Sequence, residues 1–280
     1  MTKPTLVFAI YGIGRMPINM CAHYYEVLQL LSKRFQVTAV EVRNDIGEFS
    51  NSRSGENNCI LQDQFFFEHS VKITRDFRDS SHQDILASSK RYPDVHNDGY
   101  ASNSNLIQQL LMLREVVKQV GKLNADFVLC IRDDIHFDAE VLAKNCVITM
   151  PPQYFVTSVF HSNCGVCERI LFGSVDLVSE LLERLSLVDQ FLDMSSRLRY
   201  CHTAGLNGEW LMRFAVEQYN FSPVCIPLFT RRYRANGVYA KERLSLRPKY
   251  LIHETPSLVG VFRYFRLMLT SLGRHQNVGN

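Results

Sequence analysis

Two adjacent carboxylates, Asp133 and Asp134, follow Arg132 at the end of an apolar run spanning residues 127–131. Five apolar residues bounded by charge read as a strand buried on both faces, as inside a mostly parallel sheet. Open α/β sheets place their ligand sites at the carboxyl ends of such strands. Neighbouring anions repel and call for compensation. Hard cations such as Mg2+ or Mn2+ are held by one or two carboxylates together with substrate phosphates, which makes Asp133 and Asp134 candidate metal ligands. Plain capping of a strand end would account for the pair equally well.

Other residues could serve the same chemistry. Gly12-Ile13-Gly14-Arg15 follows an apolar run over 5–11, where Gly12 and Gly14 let the backbone turn close to a ligand and Arg15 offers a fork of donors suited to phosphate. The stretch lacks the third Gly of a dinucleotide fingerprint and the Gly-Lys-Ser/Thr ending of a P-loop. Arg43 and Arg132 join this group of cofactor-binding candidates. So do Asn105 and Gln108, which with Asn103 and Gln109 open a helix expected over 105–122. Amides there can read a sugar or a base, although capping is the simpler role. Asn207-Gly208-Glu209 precedes a helix expected over 210–219. Glu209 either complements that helix dipole or acts as a general base toward a hydroxyl, with Asp133 as a second catalytic candidate.

Beyond Pro227 the chain turns basic, with Arg231, Arg232, Arg234, Lys241, Arg243, Arg247 and Lys249 against Glu242. Such a stretch closes over a diphosphate or is simply solvated surface. His253 could reach a metal held by Asp134, or be structural. Cys164-Gly165-Val166-Cys167 is a lone CxxC without a second pair at zinc-finger spacing. The eight scattered cysteines imply no disulfide framework.

The elements that must position these residues begin with strand, helix, strand over 5–11, 19–33 and 36–43, a βαβ start. Residues 44–104 are polar and read as insertion loops and short helices near a site. The helix expected over 105–122 leads into the central strand. Strands are expected over 154–160 and 170–172, then a helix from 175 to about 198. A last strand is expected at 251–252, and an aromatic and basic tail over 257–274 suits peripheral membrane contact or packing against the domain.

At 280 residues the chain fits a single α/β domain: a ligand-binding half (1–137), an acceptor-side half (138–256) and a tail (257–280). A net charge of +3 is small for a nucleic-acid reader. No signal-like start or span of roughly 18 apolar residues is present, which leads us to expect a cytoplasmic protein, peripheral to a membrane at most.

The order of these features resembles GT-A-type glycosyltransferases. The amino-terminal strand with Gly12-Ile13-Gly14-Arg15, the helix with Asn105 and Gln108, Arg132-Asp133-Asp134, Phe172-Gly173-Ser174 and Glu209 carry the resemblance, which spans most of the chain outside 44–104. It is similar in particular to transferases of bacterial surface polysaccharides and of large algal viruses, xylose-transferring ones included. The resemblance implies a GT-A-like, Rossmann-type mostly parallel sheet flanked by helices. It also implies a nucleoside diphosphate sugar as donor, UDP-linked by default and UDP-xylose among the options, a glycan acceptor, and Mn2+ or Mg2+ on an Asp-x-Asp motif. Here Arg132 stands where the first Asp would be, so Asp134 aligns with the metal-binding carboxylate and Asp133 or Arg132 must share the work. Two other classes use similar residues. A metal-dependent phosphohydrolase or nucleotidyltransferase would release phosphate or pyrophosphate, and a catalytically inactive sugar-binding module would bind without turnover.

Overall fold

The computed structural model describes residues 2–13, 18–45, 48–51, 56–60, 65–147, 149–161, 165–234 and 239–240. In chain order the elements are β1 (Thr5–Gly12), α1 (Ile18–Ser32), β2 (Gln36–Asn44), β3 (Glu48–Asn51), β4 (Glu56–Ile60), β5 (Val71–Arg75), α2 (Ser80–Ser89) and α3 (Ala101–Val120). They continue with β6 (Phe127–Arg132), β7 (Ile135–His136), α4 (Ala139–Asn145), β8 (Tyr154–Ser158), β9 (Ile170–Ser174) and α5 (Val175–Leu182). A 3-10 turn (Arg184–Leu187), α6 (Val188–Ser195), α7 (Gly208–Gln218), β10 (Ser222–Ile226) and β11 (Arg231–Arg232) follow.

Among the described residues, seven strands form one sheet in the order β10-β8-β9-β6-β1-β2-β5. Pairing is parallel throughout except where β9 meets β6 and β8. This is the α/β, mostly parallel sheet that the resemblance implied, and strands from 1–137 and from 138–256 share it. Alternation along β1 explains its central place. Val7, Ala9 and Tyr11 pack with α3, α5, α6 and α7, while Leu6, Phe8 and Ile10 pack with α1 and α4. β6 divides likewise, Val128 and Cys130 to one side and Leu129 and Ile131 to the other. Both strands read as unbroken apolar runs because helices cover both faces.

Several expectations need correction. The stretch 44–104 is more than loops and short helices: it holds an antiparallel ribbon of β3 and β4 and the edge strand β5. Val71 and Ile73 of β5 are only half-buried, so the apolar signal was weak. α3 starts at Ala101, not residue 105, which puts Asn105 and Gln108 inside the helix rather than at its cap. The helix expected from 175 to 198 is interrupted by the 3-10 turn, where Arg184 is buried. β10 was not anticipated. The strand at 251–252 and the tail at 257–274 lie outside the described residues. Among the described residues, no helix is long and apolar enough to cross a membrane.

Candidate functional site

β1 and β6 end side by side, with Tyr11 opposite Arg132. The chain leaving β6 is then pinned from several directions. Asp133 N–H donates to the Tyr11 carbonyl at 2.9 Å, and Tyr233 N–H donates to the Asp134 carbonyl at 2.6 Å. The Tyr24 hydroxyl, from α1, donates to the carbonyls of Arg132 at 2.6 Å and Ile135 at 3.0 Å. Buried backbone groups demand such partners, so the turn holding Asp133 and Asp134 is rigidly held. The Asp133 carboxylate lies directly over Gly12, where any Cβ would overlap it. Glycine at this position therefore leaves room for that carboxylate.

Asp134 points elsewhere. Its side chain is 1% exposed and forms an ion pair of 2.9 Å with Arg132, whose side chain is 13% exposed. Burial opposes the charge on Arg132. The carboxylate of Asp134 outweighs this, helped by Tyr11, Glu168 and Asp133, and raises the guanidinium pKa.

A second charged group forms at the amino end of α7. Asn207 caps this helix, its Oδ1 accepting from Trp210 N–H at 3.1 Å. Val166 N–H donates to the Glu209 carbonyl at 3.0 Å, and Gly165 packs against that peptide so closely that a Cβ would overlap it. The loop before β9 is thereby laid along the first turn of α7. Glu168 on this loop receives a hydrogen bond of 2.7 Å from Arg184, which is 1% exposed. Its other oxygen would sit 2.5 Å from a Cβ on Gly208, so a glycine opens the helix here to let the carboxylate approach. Glu209 stands next to it. Burial first, and then the Glu168 carboxylate, push the Glu209 pKa up, while Arg169 and Arg232 oppose the rise.

Both groups line one cavity of about 440 Å³, within the range of small-molecule sites. Its wall includes Gly12, Arg132 and Asp133 from the strand ends, Ser102, Asn105, Gln108 and Gln109 from α3, and Glu168, Arg169 and Glu209 from the α7 side. Arg232 and Arg234 complete it. Arg232 is delivered by β11, which pairs antiparallel with β7 so that Arg232 lies opposite Ile135.

Of the residues singled out from sequence, Gly12, Asn105, Gln108, Arg132, Asp133 and Glu209 thus meet at one cavity. Gln108 is partly committed, its Oε1 accepting from Asn44 at 2.6 Å. Arg43 is not brought there. It is buried against Glu41 at 3.2 Å, with its guanidinium 4.4 Å from the Phe65 ring centre. Asp134 does not line the cavity either. Gly14, Arg15 and His253 lie outside the described residues. In the CxxC, Cys164 is outside them and Cys167 is buried, while His161 Nε2 lies 3.0 Å from the Thr230 carbonyl.

Sequence reasoning missed Glu168, Arg169 and Arg184. Glu168 and Arg169 sit in a polar loop without periodicity. The one available signal for Arg184 was an Arg within an otherwise apolar helical pattern.

Of the expected metal set Asp133, Asp134 and His253, the described residues include only the two aspartates, and of these Asp133 lines the cavity. A guanidinium takes one oxygen of the Asp134 carboxylate, and among the described residues no three His, Cys, Asp or Glu side chains converge on a point.

No protein-family model matches the chain, and no curated protein matches it. Among solved structures it is similar to the crystal structure of mouse xyloside xylosyltransferase 1 in its apo form, with a TM-score of 0.39 and 13% identity over 79% of this chain and 84% of that one.

Proposed function

We propose that this chain is a glycosyltransferase that moves a sugar from a nucleoside diphosphate sugar to a hydroxyl of a glycan acceptor. One observation carries this reading: a polar cavity at the carboxyl ends of parallel strands is lined both by guanidinium groups and by a carboxylate of raised pKa. Both are what glycosyl transfer requires. Charge grows on the leaving diphosphate and must be neutralised in place, which suits Arg132 and Arg232. The acceptor hydroxyl must lose its proton as it attacks, and a carboxylate with elevated proton affinity is better matched to that task near neutral pH.

In the step envisaged, the acceptor oxygen bonds to the anomeric carbon as the bond from that carbon to the diphosphate oxygen breaks. The bonding pair leaves with the nucleoside diphosphate, and the hydroxyl proton passes to Glu209. Asn105 and Gln109 on α3 supply amide groups for the base or the sugar. UDP is the expected nucleotide, with UDP-xylose among the donors to test first.

The test is differential scanning fluorimetry against nucleoside diphosphates and nucleotide sugars, followed by an assay for transfer with release of free nucleoside diphosphate. A ligand that binds only the native state raises the melting temperature, so at least one nucleotide sugar should stabilise the protein. Glu209→Gln should keep that shift and lose about 10²- to 10⁴-fold in transfer. Stabilisation by no nucleotide at all would sink the proposal. Release of phosphate or pyrophosphate in place of nucleoside diphosphate would favour a phosphohydrolase or nucleotidyltransferase.

A further inference from the structure

Diphosphates bound beside paired carboxylates usually arrive with a divalent cation between them. The arrangement of charge at the end of β6 points another way. The carboxylate that would be the leading ligand, Asp134, is 1% exposed and already joined to the Arg132 guanidinium at 2.9 Å. That bond takes one carboxylate oxygen, so a divalent ion on Asp134 would have to displace the guanidinium or stand beside it, and two like charges a few ångströms apart in a partly dry wall repel strongly. The pair has a different use. Asp134 takes a single hydrogen bond from Arg132, leaving further donors of a side chain that lines the cavity. Asp134 thereby orients a cation toward the ligand.

The neighbouring ribbon adds to this. β11 pairs with β7 immediately after the Asp133-Asp134 turn, and Tyr233 N–H bonds the Asp134 carbonyl. Residues on either side of Tyr233 are thus fixed to the same strand end as Arg132, and both Arg232 and Arg234 line the cavity. Arginine suits the task because its planar fork matches phosphate oxygens bidentately.

Resting on the nucleotide-sugar reading above, we infer that the donor's diphosphate is held directly by Arg132, Arg232 and Arg234, without a divalent cation. Asp134 acts as a positioning residue for Arg132.

Isothermal titration calorimetry of the full chain with UDP as probe, in excess EDTA and again in Mn2+, decides the matter. The expected result is binding in EDTA with a Kd within about threefold of that in Mn2+, a difference well under 1 kcal/mol. Arg232→Met and Arg234→Met, each checked for a native circular dichroism spectrum, should weaken UDP by roughly tenfold apiece, the scale of one charge-assisted hydrogen bond. Binding that appears only with Mn2+ would overturn the inference and leave the transferase reading in place. Two folded variants that bind UDP as the parent does would also overturn it. An absence of UDP binding in both media would overturn the inference as well, whereas the transferase reading falls only if no other nucleoside diphosphate stabilises the protein.

Discussion

At the end of β6 opposite charges are joined, whereas at the amino end of α7 like charges are brought together. Arg132 and Asp134 form a pair whose members differ in exposure, 13% against 1%, so water at the cavity wall still reaches the cation. Glu168 and Glu209 are neighbouring carboxylates, and the cation bonded to Glu168 lies below the surface. Arg184 is 1% exposed and reaches Glu168 from the turn between α5 and α6. The first arrangement presents a fixed cation, and the second raises the proton affinity of a carboxylate. A single cavity is thus lined both by a fixed cation and by a carboxylate of raised proton affinity.

The largest way to break this contrast is to remove the hidden cation. Arg184→Leu leaves Glu168 unpaired in a largely buried position and should cost about 3–5 kcal/mol in urea denaturation. Asp134→Asn should cost less, on the order of 2 kcal/mol, because Arg132 can recover solvent at the cavity wall. Equal losses, or a larger loss for Asp134→Asn, would mean that the two pairs do not differ as described.

The glycines sharpen the same contrast at smaller magnitude. Gly165→Ala drives a methyl group into the backbone of Glu209 and should destabilise by about 1–3 kcal/mol. Gly208→Ala meets the movable tip of Glu168, so its stability loss should be the smaller of the two. Its effect should appear instead in the pH dependence of transfer, as Glu168 is displaced from Glu209.

The smallest effect is electrostatic. A carboxyl group that holds its proton more tightly in the folded chain than in the unfolded one adds stability that is complete below its ordinary value of 4.5 and lost as pH rises through the folded value. Glu209→Gln does not suffer that loss. Melting temperatures of variant and parent, followed from pH 4 upward, should therefore diverge in the variant's favour, with no further divergence once Glu209 is deprotonated. A parent that gains on the variant as pH rises would contradict a raised Glu209 pKa.

Much of this arrangement was legible beforehand. The strands β1 and β6 announced themselves because helices on both faces demand unbroken apolar runs. Glu209 could be singled out from Asn207-Gly208-Glu209 ahead of an apolar helical pattern. β5 stayed hidden because an edge strand with half-buried Val71 and Ile73 carries little periodic signal. Arg184 stayed hidden because a helix pattern does not report that one turn tightens and swallows its charge. Arg43 lies away from the cavity for a related reason: alternation puts it on one face of the strand with Glu41, but cannot reveal that the backbone of Phe66 and Phe67 closes over that 1% exposed carboxylate.

The sequence by itself determined that a buried strand ends in Arg132, Asp133 and Asp134, since hydrophobic burial acts on residue type and spacing along the chain. It could not say which carboxylate meets the cavity. Successive side chains beyond a strand end diverge, and their directions depend on how the turn is held. Hydrogen bonds from Tyr24 and Tyr233, the space above Gly12 and the guanidinium of Arg132 hold it. Several of these partners lie far away in sequence, so only the tertiary structure decided that Asp133 faces the cavity and Asp134 faces its own arginine.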